Sequence, residues 1–214
     1  MSSADFLLAP EVQKLLKVVF AEPSGKFGVS ELAKRTRLDV DDVARTREHL
    51  VKSGILTLHS AKDGEPGCVS ANTSFVFYRE LRNIALKSFA AAEPLRTMLR
   101  SKFKDSVLRA FVLGEGTDGT VEVLVVHGQL VPDEAAMSEA CRKLSTSIGR
   151  HLNVHVISSK RFTGLTARDS LGAKVVGPSA IEIIAEGDTK AKPQIEGDSL
   201  LESARAKLAA LANW

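Results

Sequence analysis

The chain has 214 residues, 44% of them hydrophobic and 26% charged, which excludes a largely disordered or fibrous protein and is too long for one small module. Two compact units of about 100 residues each are expected. The net charge of +3 allows a polyanionic partner without the dense basic stripe of a chain wholly committed to nucleic acid.

In chain order, Leu8, Val12, Leu15, Leu16 and Val19 recur at helical spacing and predict a helix over 5–21, stopped by Glu22-Pro23-Ser24-Gly25. A second helix is predicted from Ser30, the expected N-cap, to about Arg37. After the turn Leu38–Asp41, with Asp39 or Asp41 as cap, a third runs to Ser53 and ends at Gly54. Strands are expected at Ile55–His59 and Cys68–Ala71, around a turn over Lys62–Gly67. Three helices followed by a hairpin is the order of a winged helix, which places that module over residues 1–73.

Helical spacing resumes at Ser74 and continues to about Lys104, with a break or kink expected at Pro94. This linking helix over 74–104 is a candidate dimer surface. Strands are expected at 107–113 and 121–126 around the glycine-rich loop 114–119, then a helix at about 133–152 and strands at 154–158 and 180–184. Together they predict an α/β domain over 105–187. Residues 188–214 read as a polar linker and an amphipathic helix over 199–213, with Leu201, Ala204, Leu208 and Leu211 on one side. That helix either docks on its own domain or pairs with a partner.

The third predicted helix is the candidate for the major groove. Its outward face carries Asp42, Arg45, Glu48, His49 and Lys52. Arg45 has the fork that pairs with a guanine edge, and His49 can donate to a base or phosphate. Lys34, Arg35 and Arg37 at the end of the preceding helix, and Lys62 in the wing, suit phosphate contacts. Asp39, Asp41 and Asp42 oppose the DNA backbone unless they serve only to cap the helix, so modest affinity is expected. The same helices could instead form a protein-binding adaptor of antitoxin type with an ordinary solvated face.

The run LAKRTRLDVDDVARTREHLVKSGIL resembles the helix-turn-helix of ArsR/MarR-type regulators. The likeness continues through CVSANTSFVFYREL into a prokaryotic group that joins such a winged helix to a minimal nucleotidyltransferase domain. The second half supports the fusion with AFVLGEGTDGTVEVLVVHG, NVHVISSKRF and KVVGPSAIEIIAEGD, so the resemblance covers roughly residues 6–186. It implies an α+β fold in two domains: an N-terminal winged helix-turn-helix, and a C-terminal nucleotidyltransferase-like α/β domain with a small mixed sheet.

Active members of that group carry a Gly-Ser pair that holds nucleotide phosphates, then two carboxylates at alternate positions of the next strand. Alternate residues share a sheet face, where two acids can hold Mg²⁺ and a triphosphate. Here Gly114 matches the glycine, but Glu115 stands in place of serine and puts negative charge against a triphosphate. Thr120 and Glu122 match the strand positions, so one acid is missing, and Asn153 and His155 replace the acid of the neighbouring strand. Asp118 reads as a turn former. The resemblance therefore implies a degenerate site, with no catalytic residue and no cofactor.

Cys68 and Cys141 lack metal-ligand spacing, and His151 and His155 need not share a face, so no metal site is expected. No apolar run approaches the roughly 18 residues of a membrane span. The expected protein is a cytoplasmic, homodimeric DNA-binding regulator of double-stranded DNA, its second domain a ligand-sensing or dimerisation module for a nucleotide or other small ligand. The alternatives are an active nucleotidyltransferase and the adaptor.

Overall fold

The computed structural model describes residues 2–60, 67–116 and 118–194. Lys62 and the expected C-terminal helix lie outside the described residues.

The chain is a mixed α+β structure built on two main cores. The first is made by α1 (Pro10–Ala21), α2 (Val29–Thr36), α3 (Val40–Lys52) and a hairpin of β1 (Leu56–His59) and β2 (Cys68–Ala71). Leu15, Leu16, Val19, Phe20, Leu32, Val43, Leu50 and Val69 are buried at its centre. The hairpin pairs Leu56 with Ala71 and His59 with Cys68. Phe27 adds a short third pairing, exchanging both backbone hydrogen bonds with Val69 at 2.9 Å. Arg47 ties α3 to the hairpin by donating from Nη1 to the Gly67 carbonyl at 3.1 Å.

Helix ends account for several departures from expectation. The first helix starts at Pro10, not at residue 5, because proline suits the first turn, where its missing N–H would be unpartnered anyway. Residues 2–8 form turns, held by Gln13 Nε2 donating to Asp5 Oδ1 and to the Leu8 carbonyl. Ser30 is not a cap: it lies inside α2, and Gly28 precedes the helix. Asp39 takes the N-cap position of α3, although its side chain makes no capping bond. At the other end, Gly54 (φ +74°) donates to Val51 and Ile55 to Leu50, the paired bonds of a Schellman motif.

The linking segment is two helices, α4 (Tyr78–Lys87) and α5 (Ala92–Lys102). The break falls at 88–91 and not at Pro94, which sits in the first turn of α5, where proline costs no hydrogen bond. The apolar residues of this segment divide between the cores. Ala85, Phe89 and Ala90 pack on the first; Leu86, Ala91, Ala92, Leu95 and Leu99 pack on the second.

The second core belongs to a four-stranded mixed sheet of order β5-β4-β3-β6, made by β3 (Val107–Glu115), β4 (Val121–His127), β5 (Leu152–Ser158) and β6 (Ile181–Ile184). β4 and β5 are parallel and the other pairs antiparallel. The parallel pair is linked by α6 (Glu134–Ile148), as a parallel connection requires. Gly149, at φ +68°, ends α6 four residues before the expected boundary and lets β5 begin at Leu152. Both faces of the central strands β3 and β4 are covered, which explains their nearly continuous apolar runs. Val121, Val123 and Val125 face the core with α5 and α6. Phe111, Leu124, Val126 and Ile157 face α7 (Ser159–Thr163) and α8 (Ser170–Val175), where Phe162 stacks on Phe111 at 5.4 Å. Neither short helix was anticipated.

Residues 188–192 are not a free linker. Thr189 Oγ1 donates to the Val107 carbonyl at 2.7 Å, Lys190 N to the Lys104 carbonyl at 2.8 Å, and Gln129 N to the Lys192 carbonyl at 2.9 Å. Among the described residues no helix is long and apolar enough to cross a membrane.

A Cβ at Gly128 would stand 2.0 Å from the Lys192 carbonyl oxygen, so the two backbones can approach this closely only at glycine. Gly128→Ala is expected to cost about 1–3 kcal/mol, the usual cost of overpacking. It should also raise hydrogen exchange at Gln129 and Lys190, measured amide by amide.

Candidate functional site

Two groups of residues were singled out in the sequence, and the structure places them apart in role. The first lies on α2 and α3. Arg45, Glu48, His49 and Lys52 all lie on the exposed side of α3, opposite the buried Val43 and Leu50. Arg45 is paired along the helix with Asp42, and Lys52 with Glu48 at 2.7 Å. Arg35 is held by Glu22 at 2.6 Å and by Glu31 at 3.5 Å, and lies 5.1 Å over the Phe27 ring. The Glu22 hydrogen bond leads the causes that raise its pKa. Lys34 and Arg37 form no ion pair among the described residues.

Arg37 has φ +57° and ψ 39°, and is the one non-glycine with positive φ among the described residues. This left-handed conformation costs a non-glycine residue about 1–2 kcal/mol. It closes α2 and turns the chain into α3.

The second group surrounds the end of β3. Gly114, at φ +137°, lies opposite Glu122 in the β3–β4 register, and a Cβ there would stand 3.2 Å from Ser179 Cβ. Glu115 does not face an open phosphate site. Its side chain is only 9% exposed, and its Oε2 accepts from Arg82 Nε at 2.8 Å. Its Oε1 lies 3.5 Å from Arg150 Nη1. Burial works against the Arg82 charge, but the hydrogen bond and charge of Glu115 outweigh it and raise its pKa. Burial lowers the pKa of Arg150, with Glu115 opposing the shift and Arg82 adding to it. The Arg150 side chain is 1% exposed, and its three nitrogens make no hydrogen bond among the described residues.

Asp118 closes the loop by accepting from Thr120 N at 3.0 Å and from Thr120 Oγ1 at 2.9 Å, and these bonds lower its pKa. Glu122 accepts from Lys174 Nζ at 2.7 Å and lies 3.4 Å from His155 Nε2. The Lys174 hydrogen bond is the main cause that lowers its pKa. Asn153 Nδ2 lies 3.5 Å from the same His155 nitrogen. Among the described residues no three His, Cys, Asp or Glu side chains are grouped so as to hold a metal ion. Burial pushes the Cys141 thiol up, away from the thiolate form that a reactive or metal-binding cysteine needs.

Arg82, Arg150 and Lys174 are absent from the sequence reading, although they engage two of its central residues. They come from α4, the turn after α6, and α8. No spacing rule connects such distant segments to the loop. No family model matches the chain, and neither a curated protein nor a solved structure matches it.

The two glutamates should differ sharply on mutation. Glu115→Gln leaves Arg150 buried without a countercharge and is expected to cost about 3–5 kcal/mol. Glu122→Gln removes a partly solvated pair and should cost no more than about 1 kcal/mol. Urea denaturation of both variants measures the difference. Because the Glu122 pKa is lowered on folding, its contribution is full above the unfolded value of about 4.3 and is lost as pH falls through the folded value.

Proposed function

We propose that the chain is a transcriptional regulator that binds double-stranded DNA through a winged helix over residues 1–73. The observation that carries this reading is the position of α3. It is fixed on one side by the core and by the Arg47 bond to the hairpin, and it offers Arg45, His49 and Lys52 to solvent on the other. A helix of this kind enters the major groove, where an arginine fork reads guanine. Lys34 and Arg37, at the turn into that helix, are the phosphate contacts that set its register. The regulator acts as a homodimer on two half-sites. Val76 and Phe77, exposed ahead of α4, offer such a dimer an apolar contact.

The sheet part is proposed to be a nucleotidyltransferase-like domain turned to ligand sensing or dimerisation. Nucleotide transfer calls for acids free to hold a divalent cation, whereas Glu115, Asp118 and Glu122 are each engaged by a neighbour. The serine position of active relatives is filled by a structural glutamate, so Glu115→Ser would unseat Arg150 and not restore a phosphate cradle.

Gel retardation of genomic fragments at low salt tests the proposal, and no shift of any fragment would overturn it. Arg45→Ala should weaken binding to the selected site by about 1–3 kcal/mol and relax its specificity. Asp42→Asn, which releases Arg45, should tighten binding. Lys34→Ala should weaken all sequences alike and reduce the salt slope by about one. Arg37→Gly should raise stability by up to about 1 kcal/mol while lowering DNA affinity, a pairing that separates strain from contact.

A further inference from the structure

A cavity of ≈ 320 Å³ opens where the first core meets the end of α6. Lys14 and Lys17 of α1, Arg35 and Thr36 of α2, and Ser147 and Gly149 at the end of α6 line it. A Cβ at Gly149 would stand 3.4 Å from Ala21 Cβ, so the two cores touch at the wall of the cavity. Its volume is at the small end of the range for ligand clefts, about 300–1,000 Å³, which suits a small molecule.

The charge of the cleft is unbalanced. Three cations share it, and among the described residues no carboxylate lines it. Arg35 is already held by Glu22 and Glu31. Lys14 and Lys17 form no ion pair among the described residues. The last turn of α6 brings the negative end of that helix, but a helix end amounts to only about half a charge. Lys17 is half-buried, so it has given up part of its hydration without gaining a countercharge. Burial and the charge of Arg150 both lower its pKa. Glu115 does not relieve Lys17, because Arg82 and Arg150 already share that carboxylate. Thr36 Oγ1 donates to the Leu32 carbonyl at 2.6 Å, so the donors left to a ligand are the two lysines and the Ser147 hydroxyl. The end of α6 walls these cations on one side, whereas Arg45 and Lys52 stand on an open helix face. A walled cluster of donors favours a compact anion over a duplex backbone.

We propose that this cleft binds the phosphate group of a small ligand, inorganic phosphate or a small phosphomonoester, with Lys17 as its main partner and Lys14 and Ser147 beside it. Seated there, the anion touches α1 and α2 on one side and α6 on the other, and so ties the two cores together. The site shares no lining residue with the loop after Gly114, and it does not rest on the DNA-binding reading.

Equilibrium dialysis of the full chain against labelled inorganic phosphate, with ionic strength held constant by chloride, tests the site. One phosphate per chain is expected, with amide shifts at Thr36 and Gly149 on saturation. Lys17→Gln should weaken binding about tenfold or more, through loss of a charge-assisted hydrogen bond. Lys14→Glu, at an exposed position, should also weaken it, and its result stands if Lys17→Gln fails to fold. Lys102→Gln removes an exposed charge from α5 and should leave binding unchanged. Glycerol phosphate that binds at least as tightly as phosphate assigns the ester, and weaker binding assigns the free ion. Phosphate binding that is absent, or that neither Lys17→Gln nor Lys14→Glu alters, overturns the proposal. Equal weakening by Lys102→Gln does so too, because it marks diffuse attraction to a basic chain. If phosphate does not bind and Lys17→Gln lowers the salt slope of duplex binding by about one, the cleft serves the DNA backbone and the small-ligand site is overturned. The phosphate measurement contains no DNA, so its failure is distinct from failure of the DNA-binding reading.

Discussion

The carboxylate of Glu115, shared by Arg82 and Arg150, is the interaction on which the join between the two cores depends. Arg82 belongs to α4, Glu115 closes β3, and Arg150 follows the end of α6, so one buried anion ties three segments together. At an effective dielectric near 20, a unit pair at 3.5 Å attracts by about 5 kcal/mol. Desolvating each ion costs several kcal/mol in return, so the intact cluster adds little net stability and mainly specifies position. Lys17 reinforces that role: its pKa is lowered by burial and by the charge of Arg150. The cluster carries more cationic than anionic charge, and Glu115 is the countercharge that makes burying Arg150 tolerable. The same commitment of Glu115 weighs against a phosphate site in the loop after β3. The side chain next to Gly114 is committed to the interior.

The parts of the fold legible in the sequence are those set by local periodicity. Helices α1 to α3, the hairpin and strands β3 and β4 follow from apolar spacing, because each element buries one face or both against a core. Boundaries were less legible where two local rules compete. Pro94 reads as a breaker, yet it is harmless in a first turn, and the break lies earlier, where residues 88–91 turn the chain between the two cores. Ser30 reads as a cap, yet Gly28 already occupies the extended position ahead of α2. Helices α7 and α8 were invisible because five or six residues are too few to show a period. In the candidate site, Asp118 was recognisable as a turn former because its partner Thr120 is two residues away. Arg82, Arg150 and Lys174 were not, since they lie 33 or more residues from Glu115 or Glu122 in the chain, whereas His155 was placed beside Glu122 only through the family resemblance.

The exposed side of α3 shows a related economy. Asp42 with Arg45 and Glu48 with Lys52 are spaced three and four residues apart, and such pairs contribute only about 0.3–0.5 kcal/mol each. They hold the long cationic side chains along the helix, and the base contact proposed for Arg45 would outweigh its pair at about 1–3 kcal/mol. In the proposed DNA complex, exchange of Asp42 for a nucleic-acid acceptor would be favourable at the right sequence and close to neutral elsewhere.

Helix α4 gives these separate features a common mechanics. Ala85 is buried in the core that seats α3, Leu86 is buried in the core of the sheet, and Arg82 grips Glu115 at the end of β3. Adjacent residues of one rigid helix thus belong to two packed interiors. A shift of the sheet that moved α4 would break close packing on both sides unless α3 moved with it. Rotation of the helix by itself would expose either Ala85 or Leu86 and would pull Arg82 from its anion. Through α4 the two cores accordingly respond as one body to small displacements, and the polar links along that path are the ion cluster at Glu115 and the Lys87 bond to the Pro178 carbonyl at 2.7 Å.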